Sequence, residues 1–349
     1  MTLELPEKIE GPAAWIGAEM QSRQDLWLYH LTQDDIADIE HAARHFLSLG
    51  RDIGSITKED FPLAGFAVHL SRLKESLIHG HGFEVMRGLP IEAYDQQMAA
   101  AIFCGIGAHL GSARSQNAEG HILGHVRNIG ADPNDPNARI YQTAARQTFH
   151  TDSADIVGLM CLREAKEGGD SLLVSAETLY NRMRAARPDL LAQLFDPIAT
   201  DRRGEVPEGM DPFMTIPPLS WYEGKLTVFY QRQYIDSAQR FPEAMRLSPD
   251  HIAALDMFDD LANDPELHLK MRLAPGDMQF VYNHAQLHDR TGFTDWPDPA
   301  QRRHLFRLWL SPTGDRALPE VFKQRYGSID IGNRGGIITA QTQLHAPLD

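Results

Sequence analysis

The chain has 349 residues, 42% of them hydrophobic, and a formal charge of −15 from 33 basic and 48 acidic side chains. That length can bury a substantial core in one or two domains, while the acidic field repels phosphate backbones and no basic stripe offsets it, which excludes nucleic acid as an expected partner. Cys104 and Cys161 are too few for a disulfide framework or a cysteine-based zinc site. Residues 1–8 lack the basic start and apolar run of a leader, and no stretch of about 18 apolar residues occurs, so a cytoplasmic protein with two free thiols and no membrane contact is expected.

In chain order, residues 1–80 read mostly as helix. Thr32 is placed as an N-cap before an apolar-periodic run with acidic residues in its first turn, and a second such run over 70–78 ends at Gly80. Residues 82–90 alternate apolar and polar as a strand does, and helix resumes over about 94–110. Gly105 and Gly107 in that helix lack the spacing and preceding strand of a dinucleotide loop and are read as packing positions. From Val126 onward short β-branched and aromatic segments dominate, at 139–142, 155–162, 171–175, 226–230, 278–282 and 305–310. Helices interrupt them at 176–186, closed by Pro188, and from a Ser248-Pro249 cap to about Leu261. Residues 204–218, rich in Gly and Pro, read as a loop, either a lid or a surface insertion. The expected fold class is therefore mainly β with flanking helices, in a single catalytic domain over 1–349. It divides into a helical N-terminal extension over 1–80, a β core with insertions over 81–311, and a tail over 312–349 that packs on the core.

The most informative triplet is His150-Thr151-Asp152. On an extended strand, residues two apart share a face, so this imidazole and carboxylate would converge on one point. With one more histidine they would form the 2-His-1-carboxylate set of non-heme iron oxygenases, which leaves three coordination positions open. The third ligand is sought after the Pro275-Gly276-Asp277 turn, on the strand that follows it, where His284 and His288 compete. Their four-residue spacing is that of a zincin helix, but the segment is strand-like and residue 285 is Ala where that motif needs Glu. On 302–310, alternation puts Arg303, Leu305, Arg307 and Trp309 on one face. Two arginines among apolar neighbours call for an anionic partner, either a bidentate carboxylate ligand or one of the chain's own acidic residues.

Five segments taken together, residues 82–90, Phe149-His-Thr-Asp152, Gly168-Gly-Asp-Ser171, Leu287-His-Asp-Arg290 and Gln301-Arg-Arg-His-Leu-Phe-Arg307, resemble the TauD/TfdA family of Fe(II)- and 2-oxoglutarate-dependent dioxygenases, in that family's order. The resemblance implies a double-stranded β-helix, a jelly roll of the clavaminate synthase-like kind, with iron at one open end. It implies His150, Asp152 and His288 as metal ligands, with His284 left as a lining residue. Arg303 is implied to grip the far carboxylate of 2-oxoglutarate, with Ser171 supplying the hydroxyl that the family draws from threonine, and Arg307 to hold acidic groups near the iron. The gap from His288 to Arg303, through Trp296-Pro-Asp-Pro299, is longer than the family's. The implied cofactors are Fe(II), 2-oxoglutarate as co-substrate and O2, and the implied reaction is hydroxylation of an unactivated C–H bond with release of succinate and CO2. Related halogenases replace the carboxylate ligand with a small residue, so Asp152 points to oxygen transfer.

The substrate is expected to be a small organic molecule, with an anionic one favoured if Arg146 and Gln147, just upstream of the ligands, line its site. Tyr230 and Arg232 are further candidates, set with Trp221, Tyr222 and Tyr234 around an expected hairpin. A homo-oligomer is compatible with this reading. Two other classes stay open at this point: a zinc-dependent hydrolase on the same ligands, and a catalytically silent β-helix protein that binds a small acid.

Overall fold

The computed structural model describes residues 4–132, 139–207, 209–337 and 342–348; Met1 to Leu3, at the head of the segment read for a leader, lie outside it. Eight strands build two facing sheets. They are β1 (Leu123–Val126), β2 (Gln147–His150), β3 (Ile156–Arg163), β4 (Ser171–Ser175), β5 (Leu269–Met271), β6 (Met278–Tyr282), β7 (Gln286–Arg290) and β8 (His304–Ser311). The larger sheet runs β1-β8-β3-β6 and is extended by Phe83–Arg87 and then Leu28–His30; the smaller runs β2-β7-β4-β5. Strands consecutive in the chain alternate between the sheets except at β4 and β5, which pair with each other in the smaller one, the order of a jelly roll.

Two-residue alternation sorts the side chains. Val85, Cys161, Leu173, Val281 and Leu305 point inward and share one cluster with Val126, Leu269 and Met271. Their neighbours Met86, Met160, Phe280, Tyr282 and Phe306 point outward beneath the helices Gln33–Ser48, Phe66–His79 and Gln96–Leu110. On the smaller sheet Leu172, Val174 and Leu287 point outward under Ala176–Ala186 and Pro249–Ala262. Each sheet therefore has an apolar outer face covered by helix, and the inner faces are left to enclose a site at one end.

Local signals hold where they are strongest. The Thr32 hydroxyl accepts from Asp35 N while the Asp35 carboxylate accepts from Thr32 N, a reciprocal capping box, and Gly80 ends its helix. Ser248 caps Pro249–Ala262 in the same way. The glycines of Gln96–Leu110 are contact points: a Cβ on Gly105 would lie 2.2 Å from the Phe61 ring, and one on Gly107 2.8 Å from Leu308 of β8. Both cysteines are buried and unpaired. No helix among the described residues is long and apolar enough to cross a membrane.

Four expectations are corrected. Residues 139–142 form a 3-10 turn at Ile140–Gln142, not a strand, because their backbone bonds close locally, Gln142 N on Arg139 O at 2.9 Å and Thr143 N on Ile140 O at 3.0 Å. Phe213–Ile216 pairs with Ile198–Asp201, so the expected long loop is cut to about 202–212. Pro188, expected to close one helix, sits at the first position of the next, Pro188–Gln193, where its missing N–H costs nothing. The strand expected over 226–230 stops at Val228, and Arg232 opens the helix Arg232–Ala238.

The Gly105 contact gives a test whose sign is informative. In an open helix Gly→Ala gains about 1 kcal/mol. Gly105→Ala should instead lose about 1–3 kcal/mol through overpacking against Phe61, measured by chemical denaturation; a stabilised variant would contradict this packing.

Candidate metal centre and the cavities beside it

β7 lies antiparallel to β2 with His288 directly opposite His150, and their rings are 4.1 Å apart between centroids. β2 ends at His150, so Asp152 reaches the same point from the loop beyond the strand and not by strand alternation. Its carboxylate lies 3.9 Å from His150 Nε2 and 3.8 Å from His288 Nε2. The three ligand atoms fall within 4.8 Å of one another, close enough to share one ion. The loop is fixed by Asn283, just after β6: its side-chain oxygen accepts from Asp152 N at 2.9 Å, and its amide nitrogen donates to Asp152 O at 2.5 Å and Ala154 O at 2.7 Å.

The protonation states suit a divalent cation. His150 Nδ1 donates to the Thr148 carbonyl at 2.8 Å, which leaves Nε2 unprotonated on the side of Asp152, its lone pair accepting from Gln147 Nε2 at 2.9 Å. Burial lowers the His150 pKa, and burial followed by His150 itself pushes His288 down to about 3, so both imidazoles are neutral at neutral pH. Burial alone would raise Asp152, but the Arg307 guanidinium, the two histidines and the Trp309 indole outweigh it and hold the carboxyl well below its usual range. Trp309 Nε1 donates to Asp152 Oδ2 at 2.9 Å and Arg307 Nη1 at 3.2 Å. Two neutral nitrogens and one carboxylate with open positions match non-heme iron better than a closed structural zinc site.

His284 lies elsewhere. Its Nε2 is 2.7 Å from Asp155 Oδ1 in a fully buried cluster with Asp315. Arg334, from the C-terminal tail, bridges both carboxylates at 2.8 Å, which supplies a cation from the chain itself. Neither Asp155 nor Arg334 carries a local motif that would have announced this network.

A cavity opens beside the triad between the sheets, lined by His150, Asp152, His288, Ser171, Arg290 and Arg303 among others. Arg303 is 6% exposed, and its Nη1 is buried without a hydrogen-bond partner. Burial lowers its pKa to about 10. Gly169, at φ 74°, lets the side chain pass, since a Cβ there would lie 3.0 Å from Arg303 Nε. The long gap after His288 folds as Phe293–Thr294, which pairs with Glu167–Gly168, and the Phe293 ring stacks on both guanidiniums, 5.1 Å from Arg303 and 4.7 Å from Arg290. Ser171 Oγ points at Gln279 Oε1, 3.2 Å away, from the wall of the same cavity. Arg307 lines it too, but is tied to Asp152 and to Gln116 Oε1 at 2.7 Å.

Of the four residues expected to meet substrate, one faces the centre. Gln147 Nε2 is 2.9 Å from His150 Nε2 and lines both this cavity and a second one. Arg146 is instead paired with Asp289 at 2.6 Å and bonded to Asn263, outside both cavities. Tyr230 belongs to the wall of the second cavity, but its hydroxyl is turned into the core, donating to Asp259 at 2.7 Å, and its ring packs on Phe258. Arg232 is surrounded by Asp236, Asp256 and Asp259 because it opens a helix whose face meets Pro249–Ala262. The second cavity is also lined by Arg139, Arg202 and Arg325, which sequence reasoning missed; they come from a turn, a loop and the tail, with no shared spacing to link them.

The Asn283 clamp makes a prediction. Asn283→Ala should weaken Fe(II) binding roughly 10–100-fold, the range for residues that support ligands, in an anaerobic titration, with denaturation followed in parallel to separate affinity from folding. Unchanged affinity would mean that the loop is held without it.

Comparison with known proteins agrees with this geometry. The asparagine oxygenase structure in complex with Fe(II), 2S,3S-3-hydroxyasparagine and succinate superposes with TM-score 0.64 at 16% identity, over 81% of this chain and 93% of that one. The non-heme iron oxygenase OrfP in complex with Fe and alpha-ketoglutaric acid gives TM-score 0.61 at 16% identity, over 81% and 93%. FR-33289 synthase of Streptomyces rubellomurinus (strain ATCC 31215) is 31% identical over 90% of this chain and 94% of its own length. The family described as "Taurine catabolism dioxygenase TauD, TfdA family" matches residues 47–309. That match turns the zinc hydrolase and the silent binding protein aside: the chain belongs to the TauD/TfdA family, enzymes that use Fe(II), 2-oxoglutarate and O2.

Proposed function

We propose that the enzyme hydroxylates an unactivated C–H bond of a small anionic organic substrate, turning 2-oxoglutarate and O2 into succinate and CO2 as one oxygen atom enters the substrate. The observation that carries this reading is one cavity in which His150, Asp152 and His288 converge beside a buried guanidinium with a partnerless N–H. His150, Asp152 and His288 would hold the iron, which supplies oxygen activation coupled to decarboxylation of the co-substrate.

The protein's own work is positioning. Arg303 would take the far carboxylate of 2-oxoglutarate in a bidentate grip, satisfying the Nη1 donor that is otherwise left buried at a cost of about 1–3 kcal/mol. Ser171 would turn its hydroxyl from Gln279 to the same carboxylate. Arg307 and Trp309 keep Asp152 ionised and oriented, so that it stays a ligand and takes no proton. Gln147 stands at the boundary between the co-substrate cavity and the second, arginine-lined one, where substrate would enter. That second wall favours an anion.

Anaerobic addition of Fe(II) and 2-oxoglutarate should give a visible charge-transfer band. His288→Ala should abolish it, while His284→Ala, which disturbs only the Asp155 cluster, should retain it in the folded fraction. Arg303→Ala should weaken 2-oxoglutarate by about 2–5 kcal/mol, the range for a broken buried charge pair. A band that survives His288→Ala, or unchanged affinity in Arg303→Ala, would overturn the corresponding assignment.

A further inference from the structure

The second cavity shares Tyr141, Gln147, His150, Asp152 and Arg307 with the co-substrate cavity, and so opens on the same reacting position. Its far wall is basic in a chain that is otherwise strongly acidic. Arg202 is 4% exposed, and the side chains of Arg139 and Arg325 are 17% and 11% exposed.

Carboxylates on this wall are few. Asp152 belongs to the metal centre, and Asp201 is committed to Arg240 at 3.1 Å and to the Ser237 hydroxyl. Glu205 remains, in contact with Arg139 and 3.9 Å from Arg325. Arg139, Arg202 and Arg325 thus share one negative charge, which leaves an excess of two positive charges around a partly enclosed space. Their other hydrogen-bond partners are neutral: Arg202 Nε donates to the Asp211 carbonyl at 3.0 Å, and Arg325 Nε to the hydroxyl of Ser153, next to Asp152, while the Asp211 carboxylate that also favours the Arg202 cation is exposed and screened by water. The cations strain against each other, since burial and then Arg325 lower Arg202 to about 10, and burial lowers Arg139 with Arg325 and Arg307 adding to it. A third cavity shares Arg202, Glu205 and Arg325 and adds Arg114 and Lys323, so the basic lining continues toward the surface. A like-signed, low-dielectric passage concentrates counter-charged ligands.

We infer that this wall binds a tetrahedral phosphorus dianion, a phosphonate or phosphate monoester, and thereby points the substrate's carbon chain at the metal centre. The inference rests on the metal and co-substrate assignments proposed above. A carboxylate or sulfonate carries one charge and would leave one guanidinium uncompensated. A phosphate monoester carries about −1.5 to −2 at neutral pH, a phosphonate loses its second proton at somewhat higher pH and is driven to the dianion beside cations, and both offer three strong acceptors, which matches the excess charge and the number of guanidinium groups.

Ethylphosphonate, ethyl phosphate, ethanesulfonate and propionate share a short alkyl chain and differ in the anion. Each would be titrated calorimetrically at pH 8 into the anaerobic protein loaded with Fe(II) and 2-oxoglutarate, and into the metal-free protein. The two phosphorus anions should bind at least tenfold tighter than the other two, and their order tells carbon-linked from oxygen-linked phosphorus. Arg202→Gln and Arg325→Gln should each weaken them at least tenfold with 2-oxoglutarate affinity unchanged. Sulfonate or carboxylate binding equally well, no probe binding in either form, or variants that bind like the wild type would overturn the inference. Should the loaded complex fail to form, the metal and co-substrate assignments fall, and the metal-free titration still decides the anion site. The wild-type ranking decides it too if a variant does not fold.

Discussion

Everything at the centre depends on one strand pairing, that of β7 with β2, which sets His288 opposite His150. Opposed residues on antiparallel neighbours have Cβ atoms about 5 Å apart, so two imidazoles on one face are brought within reach of a single ion by backbone hydrogen bonds alone. A one-residue slip of β7 would send the His288 ring to the helix-covered face while His150 stayed on the inner one, and the pair would be lost. Asp152 is the exception, since it lies past the end of its strand and is held by side chains: Asn283 clamps its backbone, while Arg307 and Trp309 hold its carboxylate. Two ligands are thus fixed by the sheet and the third by a small polar network.

The interior cations fall into two kinds. Arg334 is satisfied by Asp155 and Asp315, and Arg307 by Asp152 and Gln116, so both are fully used within the fold. Arg303 in the first cavity keeps a buried N–H without a partner, and Arg202 and Arg325 in the second share too little negative charge. Burying an uncompensated cation destabilises the empty protein, and such sites persist where a ligand supplies the missing charge. The same distinction separates the His284 cluster, which already contains its own cation, from the His150–Asp152–His288 cluster, where the open positions face a cavity.

The β core was legible because period-2 alternation and turn chemistry are local. The strands at 156–163, 171–175, 278–282 and 304–311 stand within a residue or so of where composition places them, and alternation on β8 puts Arg303 and Arg307 on the cavity side with Phe306 opposite. The convergence of His150, Asp152 and His288 was legible through motif order, although Asp152 reaches the cluster from the loop past its strand and not by strand alternation. The substrate side was not legible. Arg146, just upstream of His150, and Arg232, beside the expected hairpin, carry the right charge, yet each finds an acidic partner on a neighbouring helix or strand. Arg139, Arg202 and Arg325 are brought together only by the closed fold, so nothing in their local sequence marks them.

The proposed chemistry requires iron between His150, Asp152 and His288 with 2-oxoglutarate reaching Arg303. Diffraction at the iron absorption edge, from crystals grown anaerobically with Fe(II) and 2-oxoglutarate, tests this most directly. It should show one iron bound by those three side chains, with the far carboxylate against Arg303 and Ser171. Iron in the Asp155–His284–Asp315 cluster, or 2-oxoglutarate lodged among Arg139, Arg202 and Arg325, would contradict it.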